Sequence, residues 1–163
     1  MTKESIKYIN HIPIPVDDGH YDIMKYSTSF YGDDEELGTI IYMESSTKYK
    51  VKIYFKHFHY AFFASDESSM LSRYAQLGKL AEKSDIKLYD EQGFVIESEN
   101  SELLTKMRDG SFNLYNHLDL EFYHYIIYTR ENIIEVISYS PPEISIGEIE
   151  EWENGSVVRL PKD

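Results

Sequence analysis

The stretch KYKVKIYF at residues 48–55 places an apolar or aromatic side chain at every second position. Residues two apart in a β-strand project from the same face of a sheet. One face of this segment therefore carries Tyr49, Val51, Ile53 and Phe55, and the other carries Lys48, Lys50, Lys52 and Tyr54. The alternation predicts a strand with one face in the core and one face toward water, which requires a partner layer over the apolar face.

Other segments repeat the strand signal and set the fold class. The β-rich run at 20–31 precedes TIIYME at 39–44, which forms a predicted hairpin with 48–55. A second hairpin is predicted from LEFYHYIIY and IIEVISYS, two β-branched and aromatic runs around the four-residue turn TREN. Shorter strands are expected at GFVIES and near the C-terminal end.

Two helices are predicted between these strands. Apolar residues recur at three- and four-residue spacing over about 67–83, with Asp66 as the expected N-cap. Ser101 is the expected cap of a short helix that ends at Gly110. We therefore expect an α+β fold in which a mainly antiparallel, twisted sheet carries both helices. No repeat or linker divides the chain, so residues 1–163 are expected to form a single domain.

The charge balance constrains the partner. The chain has 29 acidic and 16 basic residues, a net charge of −13. Such a surface repels nucleic acid and anionic membranes and attracts a basic protein. The absence of cysteine excludes thiol chemistry and disulfides, and no segment has the apolar length of a signal peptide or a membrane span. We expect a soluble, cytoplasmic protein.

The segment KHFHYAFF at residues 56–63 raises the question of a metal site. On one continuous strand, His57 and His59 would project from the same face and could bind one ion, with His124 or Glu121 as a further ligand. The competing interpretation is that the histidines continue a buried strand face or turn to solvent at a bulge. Because no downstream His/Glu motif accompanies the pair, a metal-dependent enzyme is the less favoured hypothesis, and no cofactor is expected.

Other functional motifs are weaker still. The chain has no phosphate-binding glycine loop, nucleophile elbow or H-E-x-x-H sequence. The lysines of residues 48–52, interleaved with tyrosine, could bind single-stranded nucleic acid, but lysine on an outer strand face ordinarily prevents edge-to-edge aggregation. The net charge favours the ordinary role, so no nucleic acid is expected as a partner.

Two acidic segments are the better functional candidates. GDDEELG at residues 32–38 places four consecutive acids in a predicted loop, and EISIGEIEEWENG at residues 143–155 surrounds the only tryptophan with glutamates. An aromatic anchor inside a charged rim is typical of an interface that attracts a basic partner. The competing interpretation is that the tryptophan packs on the sheet and the acids face water. The predicted partner-binding residues are Asp33, Asp34, Glu35, Glu36, Glu148, Glu150, Glu151, Trp152 and Glu153.

In being small, acidic, tyrosine-rich and free of cysteine, the chain resembles the immunity proteins of bacterial toxin systems, including contact-dependent inhibition and other polymorphic-toxin families. The resemblance lies in composition, and no residue role is carried over from the family. It implies a non-enzymatic protein that binds and neutralises a cognate toxin domain, often a basic nuclease. Three alternatives remain open: a phage or mobile-element inhibitor that mimics DNA, a metal-dependent enzyme built on the histidines, and an assembly subunit.

Overall fold

The structure is a computed structural model that describes residues 3–8, 21–29, 38–56, 59–66, 71–84, 94–110, 121–129, 132–153 and 158–159. These residues form ten strands and three helices. The strands are β1 (Ser5–Tyr8), β2 (Tyr21–Ser29), β3 (Gly38–Ser45), β4 (Tyr49–Lys56), β5 (His59–Asp66), β6 (Phe94–Glu99), β7 (Tyr123–Tyr128), β8 (Asn132–Ser138), β9 (Glu143–Glu148) and β10 (Val158–Arg159). The helices are α1 (Leu71–Lys83), α2 (Glu102–Gly110) and α3 (Ile149–Glu153).

The strands divide between two five-stranded sheets. Sheet I has the order β1-β6-β7-β8-β5, and sheet II has the order β10-β9-β4-β3-β2. Every pair of neighbouring strands in the described residues is antiparallel. Both predicted hairpins form, as β3–β4 and β7–β8. The α+β class with antiparallel pairing is therefore confirmed, with two sheets where the sequence pattern predicted one.

The two sheets pack face to face and enclose the main core. Sheet II contributes the apolar face predicted for residues 48–55, of which Val51, Ile53 and Phe55 are fully buried. Sheet I contributes alternate residues of β7 and β8, and the rings of Phe55 and Tyr125 lie 5.5 Å apart across the interface. The partner layer that the alternation required is thus a second sheet rather than a helix.

Both longer helices cover the other face of sheet I. Leu77 and Leu80 of α1 pack on Ile126 and Ile133, and Leu104 of α2 packs on a second apolar group of the same face. Strands β7 and β8 are consequently buried on both sides, which explains why their sequences lack an exposed polar phase. Within the described residues, none of the helices is long and apolar enough to cross a membrane.

Helix α1 is described from Leu71, and the predicted start near residue 67 lies outside the described residues, as does the capping role expected of Asp66. Asp66 itself is the last residue of β5, where it pairs with Asn132. The short helix begins as predicted, because Oγ of Ser101 accepts the backbone N–H of Leu104 at 3.1 Å. It extends to Gly110, as the sequence indicated.

Candidate functional site

A buried chain of polar side chains lies between sheet I and its helices. His124 of β7 is only 1% exposed, and both of its ring nitrogens have partners. Nδ1 lies 2.7 Å from Oγ of Ser101, and Nε2 lies 2.9 Å from Oε1 of Glu135. A carboxylate only accepts hydrogen bonds, so Nε2 carries a proton and donates it to Glu135. In the neutral ring the Ser101 hydroxyl donates to Nδ1 while it accepts from Leu104, so that every group is satisfied.

The same glutamate continues the chain toward α1 and the N-terminal strand. Arg73 donates to Oε1 of Glu135 from Nε at 3.2 Å and from Nη2 at 2.8 Å. Nη2 of Arg73 also lies 3.3 Å from Oε1 of Glu4, which in turn accepts from Ser98 at 2.6 Å. The side chains of Arg73, Glu135 and Glu4 are 10–11% exposed. One guanidinium therefore balances two nearly buried carboxylates, and it joins α1 to β8 and to the residue that precedes β1.

The charge state of Glu135 follows from these contacts. Burial raises the pKa of its carboxyl, but the hydrogen bond from His124 and the charge and hydrogen bonds of Arg73 outweigh burial, and the pKa lies below its usual range. Glu135 is therefore ionised at neutral pH. A paired, ionised group is the form of buried carboxylate that a folded protein tolerates.

The order serine, histidine, glutamate invites comparison with a hydrolytic triad. The sense of the hydrogen bonds matches, from hydroxyl to imidazole to carboxylate. However, Ser101 is 1% exposed, and its Oγ is already bound to the backbone of α2. A nucleophile must reach a substrate carbonyl, and this hydroxyl faces the interior of the fold. The described geometry assigns Ser101, His124 and Glu135 to fixing α2 and α1 on sheet I.

The predicted metal ligands lie only partly within the described residues, and the single continuous strand on which their pairing depended is not formed. The HxH argument assumed one continuous strand, but β4 ends at Lys56 in sheet II, and β5 begins at His59 in sheet I. His57 lies outside the described residues, as does the side chain of His59, and His124 is engaged at both nitrogens. No group of three or more metal-ligating side chains occurs within the described part of the chain.

The acidic C-terminal segment consists of β9, a strand of sheet II, and of α3, which lies on the outer face of that sheet beside Lys50. Glu148 of β9 is paired with Tyr49 of β4, and its carboxylate lies 2.9 Å from Nζ of Lys48. Glu151 of α3 folds back so that Oε2 accepts the N–H of Glu148 at 2.6 Å. Glu150 is exposed. The predicted rim of equivalent acids is therefore a set with separate roles: among its described side chains, Glu148 and Glu151 have partners within the chain, and Glu150 points to solvent.

Trp152 packs onto the sheet, as one of the two interpretations of the sequence predicted. Its Nε1 donates to the backbone oxygen of Lys50 at 2.9 Å, and its ring meets Tyr42 edge-on at a centroid distance of 6.2 Å. Gly147 lies beneath it, where a Cβ atom would come within 3.5 Å of Nε1 of Trp152. The ring remains partly exposed. Trp152 thus fixes α3 across β4 and β3.

A lysine occupies the corner between these two rings. Nζ of Lys50 lies 5.3 Å from the ring centre of Tyr42 and 5.8 Å from that of Trp152. A cation over the face of tyrosine or tryptophan within about 6 Å is attracted by the ring electrons. The sequence placed Lys50 in a basic stripe and Trp152 in an acidic segment, and it gave no sign that the strand pairing would bring them together through Tyr42.

The remaining predicted contact residues lie outside the described part of the chain. They are Asp33, Asp34, Glu35 and Glu36, together with the side chain of Glu153. The sequence analysis did not single out Glu135, Arg73 or Tyr42. A signal was present for Glu135, because it is a lone acid in the otherwise apolar run IIEVIS.

Comparisons of the chain with protein-family models, with curated proteins and with solved structures find no match. Function must therefore be argued from the charge and geometry of the chain itself.

Proposed function

We propose that this protein is a non-enzymatic, acidic binding protein, and specifically an immunity protein that binds and neutralises a basic, nuclease-type toxin domain. The observation that carries the proposal is the net charge of −13 together with a short acidic helix fixed on the outer face of a sheet. A charge imbalance of this size raises the rate at which a basic partner is encountered.

The setting of α3 suits it to present carboxylates. The helix is held from below by Trp152, which is bound to the backbone of β4, and at its start by Glu151, which is bound to the N–H of Glu148. Glu150 projects from a backbone fixed on both sides. A charged group on a rigid element loses little conformational entropy when it binds, so more of its interaction energy appears as affinity.

The proposed mode of inhibition is occupation of the groove in which the toxin binds nucleic acid. Carboxylates placed where phosphates would lie can pair with the arginines and lysines that the toxin uses for its substrate. The proposed contact residues are Glu148, Glu150, Glu151, Trp152 and Glu153, together with the acidic segment at residues 33–36. Glu150 is expected to contribute most to steering, because Glu148 and Glu151 have partners within the chain.

The buried network supports a binding role over a catalytic one. Within the described residues, the histidine, serine and glutamate that most resemble catalytic groups bind one another and the backbone of α2. A cytoplasmic location belongs to the proposal, because a cysteine-free chain suits a reducing compartment in which a toxin would act on the producing cell.

The first test is capture of the partner. The tagged chain is incubated with a lysate of its native host, washed at low and at high salt, and the retained proteins are identified by mass spectrometry. We expect one stoichiometric basic protein with a toxin-type nuclease domain that survives the high-salt wash. If the retained protein is instead a host defence nuclease, the proposed function changes from immunity to inhibition by DNA mimicry. If no basic protein is retained, both proposals are contradicted.

The second test uses charge reversal in the full chain. Glu150→Lys is expected to lower the association rate with the captured partner by about three- to tenfold at low salt, and by less at high salt. Glu82→Lys makes the same charge change on the exposed face of α1 and serves as the matched control, with an expected change of less than about twofold. Reversal of Asp34 and Glu35 tests the other acidic segment. Wild-type rates for both reversals would exclude these segments as the interface.

A further inference from the structure

The outer face of sheet II carries a cation site that is already filled in the free chain. The rings of Tyr42 and Trp152 meet at an interplanar angle of 80° and form a corner, and the ammonium group of Lys50 lies over both. Two aromatic rings around one cation are the arrangement by which proteins recognise cationic side chains. In the free chain, the cation in this site is the ammonium group of Lys50, a residue of the chain itself.

Carboxylates flank this corner in register. Asp22 of β2 pairs with Glu44 of β3, Glu44 pairs with Lys50 of β4, and Lys50 pairs with Gly147 of β9. The neighbours of Glu44 and Asp22 in sequence, Met43 and Tyr21, are buried in the core, so both acids belong to the outer face. Like charges on directly opposed residues destabilise a sheet, and a cation between or beside them relieves that repulsion.

We propose that the corner formed by Tyr42 and Trp152, together with Glu44, is the docking site for an arginine side chain of the basic partner, and that Lys50 occupies it until the partner binds. This inference rests on the proposed function and specifies one contact of the same interface. Helix α3, which carries Glu150, lies next to the corner, so one partner surface can reach both.

Arginine suits the corner better than the lysine that fills it. A planar guanidinium can stack on one ring while its N–H groups donate to a neighbouring carboxylate, and it is more weakly hydrated than an ammonium group. The displaced Lys50 stays beside a row of two carboxylates, because Glu44 lies directly opposite it on β3 and Asp22 lies opposite Glu44 on β2, so that the arginine and the lysine need not share one acid. A partly exposed tryptophan and tyrosine next to charged groups also match the residue types that dominate the binding energy of interfaces.

The experiment uses the full chain, with nona-arginine and nona-lysine peptides as probes of equal charge. Because Trp152 is the only tryptophan, its intrinsic fluorescence reports directly on this corner. Titrations at low salt are made with wild type, Lys50→Met and Lys52→Met. Lys52→Met is the matched control, since it makes the same charge change on the same face of β4: Lys52 pairs with Tyr42 across the two strands, but its Nζ lies over the ring of Tyr54, 5.6 Å from the ring centre.

We expect the wild-type chain to bind nona-arginine more tightly than nona-lysine. Lys50→Met should increase the affinity for nona-arginine by about fivefold, and Lys52→Met by less than about twofold. Tyr42→Leu, checked for folding by its melting curve, should abolish the preference for arginine. Equal gains in the two lysine variants, or no arginine preference in Lys50→Met, would overturn the site, and this comparison holds even if Tyr42→Leu does not fold.

The outcomes separate this inference from the function on which it rests. If capture yields no basic protein while the peptides show the arginine preference, the immunity proposal fails and the arginine site stands. If a basic partner is captured and binds Tyr42→Leu as tightly as wild type, the partner docks elsewhere, and the arginine site is overturned as its contact.

Discussion

Arg73 binds Oε1 of Glu135 through both Nε, at 3.2 Å, and Nη2, at 2.8 Å. This pair joins the first turn of α1 to the middle of β8, and each side chain is about one tenth exposed. His124 donates to the same oxygen from the opposite side. The two contacts make Glu135 the centre of the polar layer between sheet I and its helices.

Replacing Arg73 tests the energetic importance of that pair. Arg73→Met should lower the free energy of unfolding by about 3–5 kcal/mol, because it leaves Glu135 and Glu4 nearly buried without their counter-charge. Urea denaturation measures the change. Lys79→Met, on the exposed face of the same helix, is the control and should stay within about 0.5 kcal/mol of wild type. Similar losses in the two variants would mean that the pair has no special role.

Ser101 is expected to contribute in two ways, as the cap of α2 and as a partner of His124. Ser101→Ala removes both and should cost about 2 kcal/mol or more in the free energy of unfolding. Ser101→Gly also removes the contact with His124 but is a fair N-cap, so it should recover about 1 kcal/mol relative to alanine. Chemical denaturation of both variants separates the roles. Equal losses would show that capping adds nothing here.

Much of the local structure could be predicted because its signals are local. The alternation at residues 48–55 predicted which face of β4 is buried. Ser101 and Gly110 predicted where α2 begins and ends. The division into two sheets could not be predicted in this way. It depends on pairings such as β4 with β9 and β1 with β6, whose partners lie about ninety residues apart, and periodicity carries no information about partners.

The sites were harder to predict for the same reason. The buried polar chain from Glu4 to Ser101 joins residues on six elements or their flanks, and only the presence of His124 and Glu135 in apolar runs gave a sign of it. The HxH hypothesis assumed that an uninterrupted aromatic run is one strand, whereas the chain passes from sheet II to sheet I within that run. A run of consecutive apolar residues can therefore contain the end of one strand and the start of the next, which lie in different sheets.

The low pKa of Glu135 predicts an acid-sensitive stability. A carboxyl whose pKa is lower in the folded state contributes stability above its unfolded pKa, near 4.3, and loses it as pH falls through the folded value. The free energy of unfolding should therefore decrease on acidification below about pH 5. Glu135→Gln should show a shallower decrease over the same range, measured by urea denaturation at several pH values. Parallel curves for the two proteins would refute this assignment.

The raised pKa of Glu97 predicts the opposite effect on stability at neutral pH. Burial raises the pKa of Glu97, and although Lys7 lowers it, the charge of Glu99 adds to the upward shift. An acid whose pKa is raised by folding destabilises the folded state at neutral pH, and the penalty disappears once the pH falls below the unfolded pKa near 4.3. Glu97→Gln should therefore stabilise the protein at pH 7 and have little effect near pH 3.5. Glu99→Gln removes one of the charges that raise the pKa of Glu97 but also breaks the exposed ion pair with Lys7, so it should show a smaller gain than Glu97→Gln.

Two glycines predict opposite outcomes for the same added methyl group. At Gly147 a Cβ would lie 3.1 Å from Oε2 of Glu151 and 3.5 Å from Nε1 of Trp152, and both side chains are held by hydrogen bonds to the backbone. Gly147→Ala should therefore cost about 1–2 kcal/mol and shift the tryptophan emission to longer wavelength as the ring leaves the sheet. At Gly78, on the exposed face of α1, a Cβ meets nothing within 4 Å, so Gly78→Ala should stabilise the protein by about 0.5–1 kcal/mol with unchanged fluorescence. Urea denaturation and emission spectra of both variants test the pair, and unchanged emission in Gly147→Ala would show that the close fit beneath Trp152 does not hold α3 in place.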